Sequence, residues 1–307
     1  MNMKIAVFYY SQSGQALKAA RNICKPLEKS GDRSGDDVRV VYKEIVTQRQ
    51  YPFPWSKDEF FDVFPETRLG IPLSGIEPMD FSDINDADLV LVVGQSWFLS
   101  PSQPLQAFFS DEAIKDYLKG RPVVFVNACR NMWLMTTGRI KQYVKDAQAR
   151  LVGHIVLQDK TMNLVSVVTI IRWLVYGKKN ATAVLPQAGI SDKDLEEASR
   201  FGEVVMESLQ KKDLDGMQDR LLDIGAIDYK PSVLFLEKIG HKMFGLWAKF
   251  IRKKGDVGDR RRRFRVNLFY IYLMTVLFVL SPFAQLFFYL TYPLRHVSRN
   301  KWNDCHL

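Results

Sequence analysis

Short runs of continuously apolar residues recur through the first half of the chain, and each gives way to a stretch whose apolar positions fall at helical spacing. Residues 4–10 (KIAVFYY), 38–45, 87–94, 122–127 and 151–157 read as strands, and 15–27, 103–118, 133–149 and 192–211 read as helices. Strands that are apolar throughout, rather than alternating, are covered on both faces; their succession with helices predicts an α/β domain built on a doubly wound five-stranded parallel sheet. Ser191, with Asp194 three residues on, marks the start of the closing helix. Two inserts decorate this unit of residues 1–212. The first, 48–81, carries Tyr51, Phe53, Trp55, Phe60, Phe61 and Phe64 among prolines and aspartates, which suits an ordered wall or lid. The second, 161–190, opens with an apolar stretch of helix length that ends near Arg172 and Trp173.

The pattern changes in the remaining segment, 213–307. Leu236, Ile239, Met243, Trp247 and Phe250 form a helical stripe flanked by Lys238, Lys242, Lys249 and Arg252, so 231–255 is predicted to be a basic amphipathic helix. Arg260, Arg261, Arg262, Arg263 and Arg265 then abut residues 266–294, a run of 29 without a charge. As one helix that run is roughly 43 Å long, more than the roughly 30 Å hydrocarbon core of a bilayer. Pro282 near its middle, and Arg295, Arg299 and Lys301 beyond it, leave a tilted or kinked span and a re-entrant hairpin both open. A buried C-terminal helix or helical pair is the soluble alternative.

Charge sharpens this division. The formal net charge of +9 resolves into 28 Lys and Arg against 30 Asp and Glu over residues 1–229, hence −2, and 15 against 4 over the remaining 78, hence +11. A basic tail that adjoins an uncharged run points to anionic lipid through residues 231–294 rather than to nucleic acid. No signal peptide is evident, so the cytoplasmic face of a membrane is the expected location. Cys24, Cys129 and Cys305 have no paired spacing, and no His, Cys and carboxylate residues cluster with metal-ligand spacing. Neither a nucleophile-elbow motif nor a Walker lysine loop occurs, which favours chemistry carried by an organic cofactor.

Ser11, Gln12, Ser13, Gly14, Gln15 and Ala16 lie between the first strand and the first helix, where N–H groups and hydroxyls converge on a phosphate at a helix N-terminus. This loop resembles the T/S-x-T/S-G-x-T phosphate loop of flavodoxins, with Ser11, Ser13 and Gly14 matching and Ala16 in place of the last hydroxyl residue. That likeness implies FMN as cofactor and a flavodoxin-like strand order, 2-1-3-4-5. Gln95, Ser96, Trp97 and Phe98 follow the third strand and would lie along the flavin ring in such a fold; Trp97 serves equally well as a core residue. Asn127, Cys129, Arg130 and Asn131 follow the fourth strand. Arg130 would place positive charge near the flavin edge, and both Arg130 and Cys129 are candidate catalytic residues, although a packed thiol is favoured for Cys129. His154, inside a strand, reads as a core histidine.

Longer stretches are more specific. YYSQSGQ (9–15), YPFPW (51–55), WFLSPS (97–102), CRNMWLM (129–135), LVGHIVLQDKTMNLVSVVTIIRW (151–173) and ASRFG (198–202) together resemble the bacterial dialkylresorcinol-condensing-enzyme family, flavodoxin-like proteins associated with dialkylresorcinol and flexirubin-type pigments. The resemblance implies an oxidoreductase that works beside a ketosynthase partner, as the aromatase converting a hydrophobic, lipid-like cyclic 1,3-diketone to a resorcinol. Oxidation is preferred over condensation, because no cysteine and histidine are arranged for carbon–carbon bond formation. A membrane-tethered electron carrier or a quinone reductase is the competing function, and an assembly subunit without flavin a third.

Overall fold

The computed structural model of the chain describes residues 3–34, 38–280, 283, 290 and 291. The chain runs through β1 (Met3–Tyr9), α1 (Gln15–Ser34), β2 (Val38–Glu44), α2 (Lys57–Asp62), α3 (Phe64–Leu69), β3 (Leu89–Trp97) and the two-residue β4 (Ser100–Pro101). It continues with α4 (Gln103–Ser110), α5 (Glu112–Leu118), β5 (Pro122–Cys129), α6 (Leu134–Asp146), β6 (Arg150–Gln158) and α7 (Asn163–Tyr176). There follow α8 (Asp192–Glu197), α9 (Ser199–Gln210), α10 (Met217–Asp223), α11 (Pro231–Arg252) and α12 (Arg263–Thr275).

The five long strands pair in parallel in the order β2-β1-β3-β5-β6, and β4 folds back antiparallel on the end of β3. Counted without β4 this is the flavodoxin-like order 2-1-3-4-5. Alternate residues of each strand enter opposite cores, which is why the strands are apolar at every position. Ile5, Val7, Leu91, Val93, Val124 and Val126 pack with α1, α8 and α9 on one face. Ala6, Phe8, Val90, Val92, Val123 and Phe125 pack with α4, α5 and α6 on the other. The helix expected over 103–118 is broken by Asp111, whose carboxylate accepts the Ile114 N–H at 3.1 Å and starts α5. That expected over 192–211 bends at Ala198 into α8 and α9. Gly202 lets α9 cross closely over α1, since a Cβ there would run into the carbonyl oxygen of Ile23.

The first core does not stop at residue 212: Met217 and Leu221 of α10 and Ala226 after it belong to it. Nor is the tail a free appendage. The first insert forms α2 and α3, with a reciprocal Ser56 and Glu59 cap opening α2. Phe61 and Phe64 of this insert share a core with Ala248 and Ile251 of α11 and with Val266 and Phe269 of α12. The rings of Phe64 and Phe269 stack at 3.8 Å and 7°. Within the arginine run Arg262 is turned inward, whereas Arg260, Arg261 and Arg263 are exposed. Arg262 is fully buried and pairs with the equally buried Glu66 at 2.7 Å and with Asp62 at 2.6 Å. Arg252 reaches the same Glu66 at 3.1 Å, Arg261 pairs with Asp259, and Arg265 donates to the Phe250 carbonyl oxygen. A charge out of water needs such partners, and those of Arg262 come from the insert.

Residues Arg260–Leu280 form one helical stretch of 21 residues, long and apolar enough to cross a membrane, with 11% of its apolar window buried. At 1.5 Å per residue it measures roughly 31 Å. Its beginning is docked on the insert, whereas Ile271, Phe278, Val279 and Leu280 are exposed. Pro282 and the choice between a span and a hairpin lie outside the described residues.

Candidate functional site

At one edge of the sheet the C-terminal ends of β1, β3 and β5 release three loops, beside the point where the strand order reverses. The first holds its shape by bonds the local sequence does not advertise. Ser11 Oγ accepts the Leu17 N–H at 3.0 Å and so caps α1. Gln12 donates to the Pro52 carbonyl oxygen at 2.9 Å, which ties the loop to the aromatic insert. Gln15 is buried and engages Ile190 twice, donating to its carbonyl oxygen at 2.7 Å and accepting its N–H at 3.2 Å. Gly189 makes that clamp possible: its φ is +82°, and a Cβ would come within 2.5 Å of Gln15 Oε1. Gly14, at φ +84°, turns the chain into α1 with open space where a side chain would be. The Ser13 hydroxyl has no hydrogen-bond partner among the described residues. With the earliest N–H groups of α1 lacking intrahelical acceptors, this end of the helix can receive an anion.

The second loop is a tight hairpin. Trp97 pairs with Ser100, which leaves Phe98 and Leu99 as the two central residues, at φ 51° and 60°. Such turns favour Asn-Gly, and side chains like these in the left-handed region cost on the order of 1–3 kcal/mol each. Packing offsets the strain: the Phe98 ring lies 4.6 Å from that of Phe60 and 5.1 Å from that of Phe64. Trp97 is held edge-on by Tyr10, Tyr51 and Trp55 at 6.2, 5.4 and 5.6 Å, with its Nε1 donating to Gln95 Oε1 at 3.4 Å. It is a core aromatic that also borders a cavity.

In the third loop, Asn127 is buried and accepts the Ser96 hydroxyl at 3.0 Å, which couples the ends of β3 and β5. Cys129 packs with Trp133, Val156 and Ile227. Burial, reinforced by the nearby Glu237 carboxyl, pushes its thiol well above the usual range, so no thiolate forms at neutral pH and the packed reading holds. Arg130 is half-buried; its Nη1 donates to Asn163 Oδ1 at 2.7 Å and to the Asn163 carbonyl oxygen at 3.2 Å. Burial lowers its pKa to about 10, which leaves it protonated at neutral pH. Asn131 donates to the same Asn163 Oδ1 at 2.9 Å. His154 is a core histidine, with Nε2 3.2 Å from Thr137 Oγ1 and its N–H on Gln218 Oε1 at 2.7 Å.

These loops enclose a cavity of about 260 Å³. Of the residues singled out in the sequence, Gln12, Ser13, Gln15, Gln95, Ser96, Trp97, Phe98, Cys129 and Arg130 line it. Ser11, Gly14, Asn127 and Asn131 stand behind the wall, and Ala16, on the first turn of α1, is packed wholly into the core, where a hydroxyl would have no access to a ligand. Sequence reasoning missed a fourth wall: Ile170, Trp173 and Leu174 of α7 with Gly189 and Ile190, closed above by Phe53 and Phe60. Its signal was the glycine immediately before Ile190 and Ser191, a turn residue placed just ahead of a helix cap.

No protein-family model matches the chain, and no curated protein does. Solved structures similar to it include a flavodoxin from the domain Archaea, at 15% identity over 68% of this chain and 99% of that one, with TM-score 0.37. A WrbA-like flavodoxin from Agrobacterium tumefaciens is similar at 12% identity over 68% and 98%, with TM-score 0.37. A flavoprotein from Lactobacillus acidophilus, solved in complex with FMN, is similar at 18% identity over 50% and 93%, with TM-score 0.37.

Proposed function

We propose that this chain is an FMN-dependent oxidoreductase at the cytoplasmic face of a membrane, acting as an aromatase on a lipid-like cyclic 1,3-diketone beside a ketosynthase. The observation that carries the reading is the convergence of the loops after β1, β3 and β5 on one cavity. That cavity begins at a capped helix N-terminus with the free Ser13 hydroxyl and ends at Trp97 and Phe98. The donor set fits a mononucleotide: Ser13 and the first N–H groups of α1 would hold its phosphate, and Gln95, Ser96, Trp97 and Phe98 its ring. Gln12 and Gln15, tied to Pro52 and Ile190, shape the loop rather than bind.

FMN, when bound, accepts a hydride and a proton, the two hydrogens that a cyclic 1,3-diketone loses on becoming a resorcinol. Arg130 offers a fixed positive charge to the enolate oxygen of the diketone. Cys129 stays protonated and inert. Ile170, Leu174 and Phe53 supply an apolar wall that keeps water away from the reacting ring. Lipid contact through residues 231–294 belongs to the same reading and is supported by the exposed Ile239, Leu246, Phe250 and Ile271.

The test is the absorption spectrum of the full chain purified in mild detergent, followed by FMN titration and turnover of a dialkylcyclohexanedione. Ser13→Ala is expected to weaken FMN binding about tenfold, the loss of one hydrogen bond to a charged group. Failure to take up FMN overturns the reading. A flavin that is reoxidised by a partner protein while the diketone stays untouched assigns the chain as an electron carrier instead.

A further inference from the structure

The cavity at the strand ends has a neighbour. Between α11 and α12 lies a second cavity of about 380 Å³, and the two share Ser96, Phe98 and Arg130. The size is that of a small-molecule site. Its inner end carries the polar groups Ser96, Arg130 and Asn163, and among the described residues that line it Arg130 bears the one charge. The remaining wall is largely aliphatic and thioether, with Leu99, Leu236, Met243, Leu273 and Leu277 prominent. Its outer end is formed by Val276 and Leu280 of the stretch that is long and apolar enough to cross a bilayer, and Leu280 is 53% exposed. Gly240 of α11 keeps the passage narrow but open: a Cβ there would come 3.2 Å from Leu99 Cδ1.

A cationic head pocket, an apolar trough and a mouth on a lipid-facing helix specify one kind of occupant. We infer that the groove between α11 and α12 seats the unbranched alkyl chain of an amphiphile, entered sideways from the bilayer, with an anionic or enolate oxygen of its head at Arg130. The tail then stays among apolar side chains throughout, while the head rises from the membrane surface into the strand-end cavity. Arg130 hydrogen-bonds the neutral Asn163, and Asp159 acts on it through its field without a direct ion pair among the described residues, so the guanidinium can still meet the head. Each methylene taken out of water tightens binding roughly fourfold, which makes the trough the main source of affinity. The inference rests on the redox reading only for what is done to the head; the seat itself is tested without any flavin.

The full chain is placed in phospholipid nanodiscs with palmitic acid carrying a mid-chain diazirine, irradiated, and the labelled residues mapped by mass spectrometry. Labelling is expected at Met243, Leu273 and Leu99, and to fall roughly tenfold in Gly240→Trp, equivalent to about two lost methylene contacts. Met243→Trp serves as a second block, and thermal melting identifies any variant that is misfolded. Hexadecylamine with the same diazirine is expected to label the groove far less, because Arg130 repels its head. Labels spread over Ile271 and Phe278 and indifferent to both tryptophans overturn the proposal, as does a groove that never labels because the chain's own residues fill it. FMN uptake by Gly240→Trp, read by absorbance, separates the two readings: an unblocked cofactor site with a blocked groove supports the seat, and a labelled groove in a chain that never binds FMN sinks the redox role alone.

Discussion

Arg130 owes its behaviour to burial opposed by the nearby Asp159 carboxylate, and this defines what its replacement should do. With a pKa lowered to about 10, its positive charge is present across the neutral range and lost only as pH rises through that value. Arg130→Lys puts a less basic group under the same desolvation, so the alkaline fall of kcat/KM should begin at lower pH than in the parent. Arg130→Gln should remove that limb and lower kcat/KM by roughly tenfold to a hundredfold, the range for losing a hydrogen bond to a charged group. The loop residues show what could be read beforehand. Ser13, Gly14 and Trp97 were legible because strand, glycine turn and helix follow one another locally. The tasks of Gln12 and Gln15 were not, because their partners Pro52 and Ile190 lie far along the chain and nothing in a local pattern encodes a distant carbonyl.

Helices and strands raise a different matter, namely which ends are capped and by whom. The first residues of α6 have no side-chain cap of their own; Glu237 of α11 supplies one from across the fold, accepting the Met135 N–H at 2.8 Å. Burial raises the Glu237 pKa to about 7 against the pull of the N–H groups at Met135, Leu134 and Trp133. An acid whose folded pKa exceeds its unfolded value binds the proton more tightly when folded. Stability from this contact is therefore full below the ordinary glutamate range and declines as pH rises toward about 7, levelling off above it. Glu237→Gln should flatten that decline while keeping an acceptor for Met135, as thermal unfolding across the range will show. The continuously apolar strands made the sheet legible from sequence, since apolar runs and their spacing are local properties. The hairpin at Phe98 and Leu99 was hidden, because neither residue favours a positive φ and the rings of Phe60, Phe61 and Phe64 that pack on Phe98 are drawn from the insert.

For the molecule as a whole, the tail and the aromatic insert form one structure. Sequence reasoning separated residues 213–307 by their charge and hydropathy, both real, yet composition does not reveal that Arg262 is enclosed by Asp62 and Glu66. Arg262→Ala should cost about 3 kcal/mol, the low end for breaking a buried pair because Arg252 still reaches Glu66, whereas Arg262→Met with Glu66→Gln should recover much of it; thermal unfolding in detergent measures both. The stacked pair Phe64 and Phe269 carries a practical corollary for anyone who wishes to handle this protein without detergent. Trimming the chain after residue 212 to obtain a soluble fragment would strip the cover from Phe61, Phe64 and Phe98 and leave Glu66 without its cations. Such a fragment should aggregate and lose its site, so the hydrophobic tail is part of the protein's body and has to be solubilised with it.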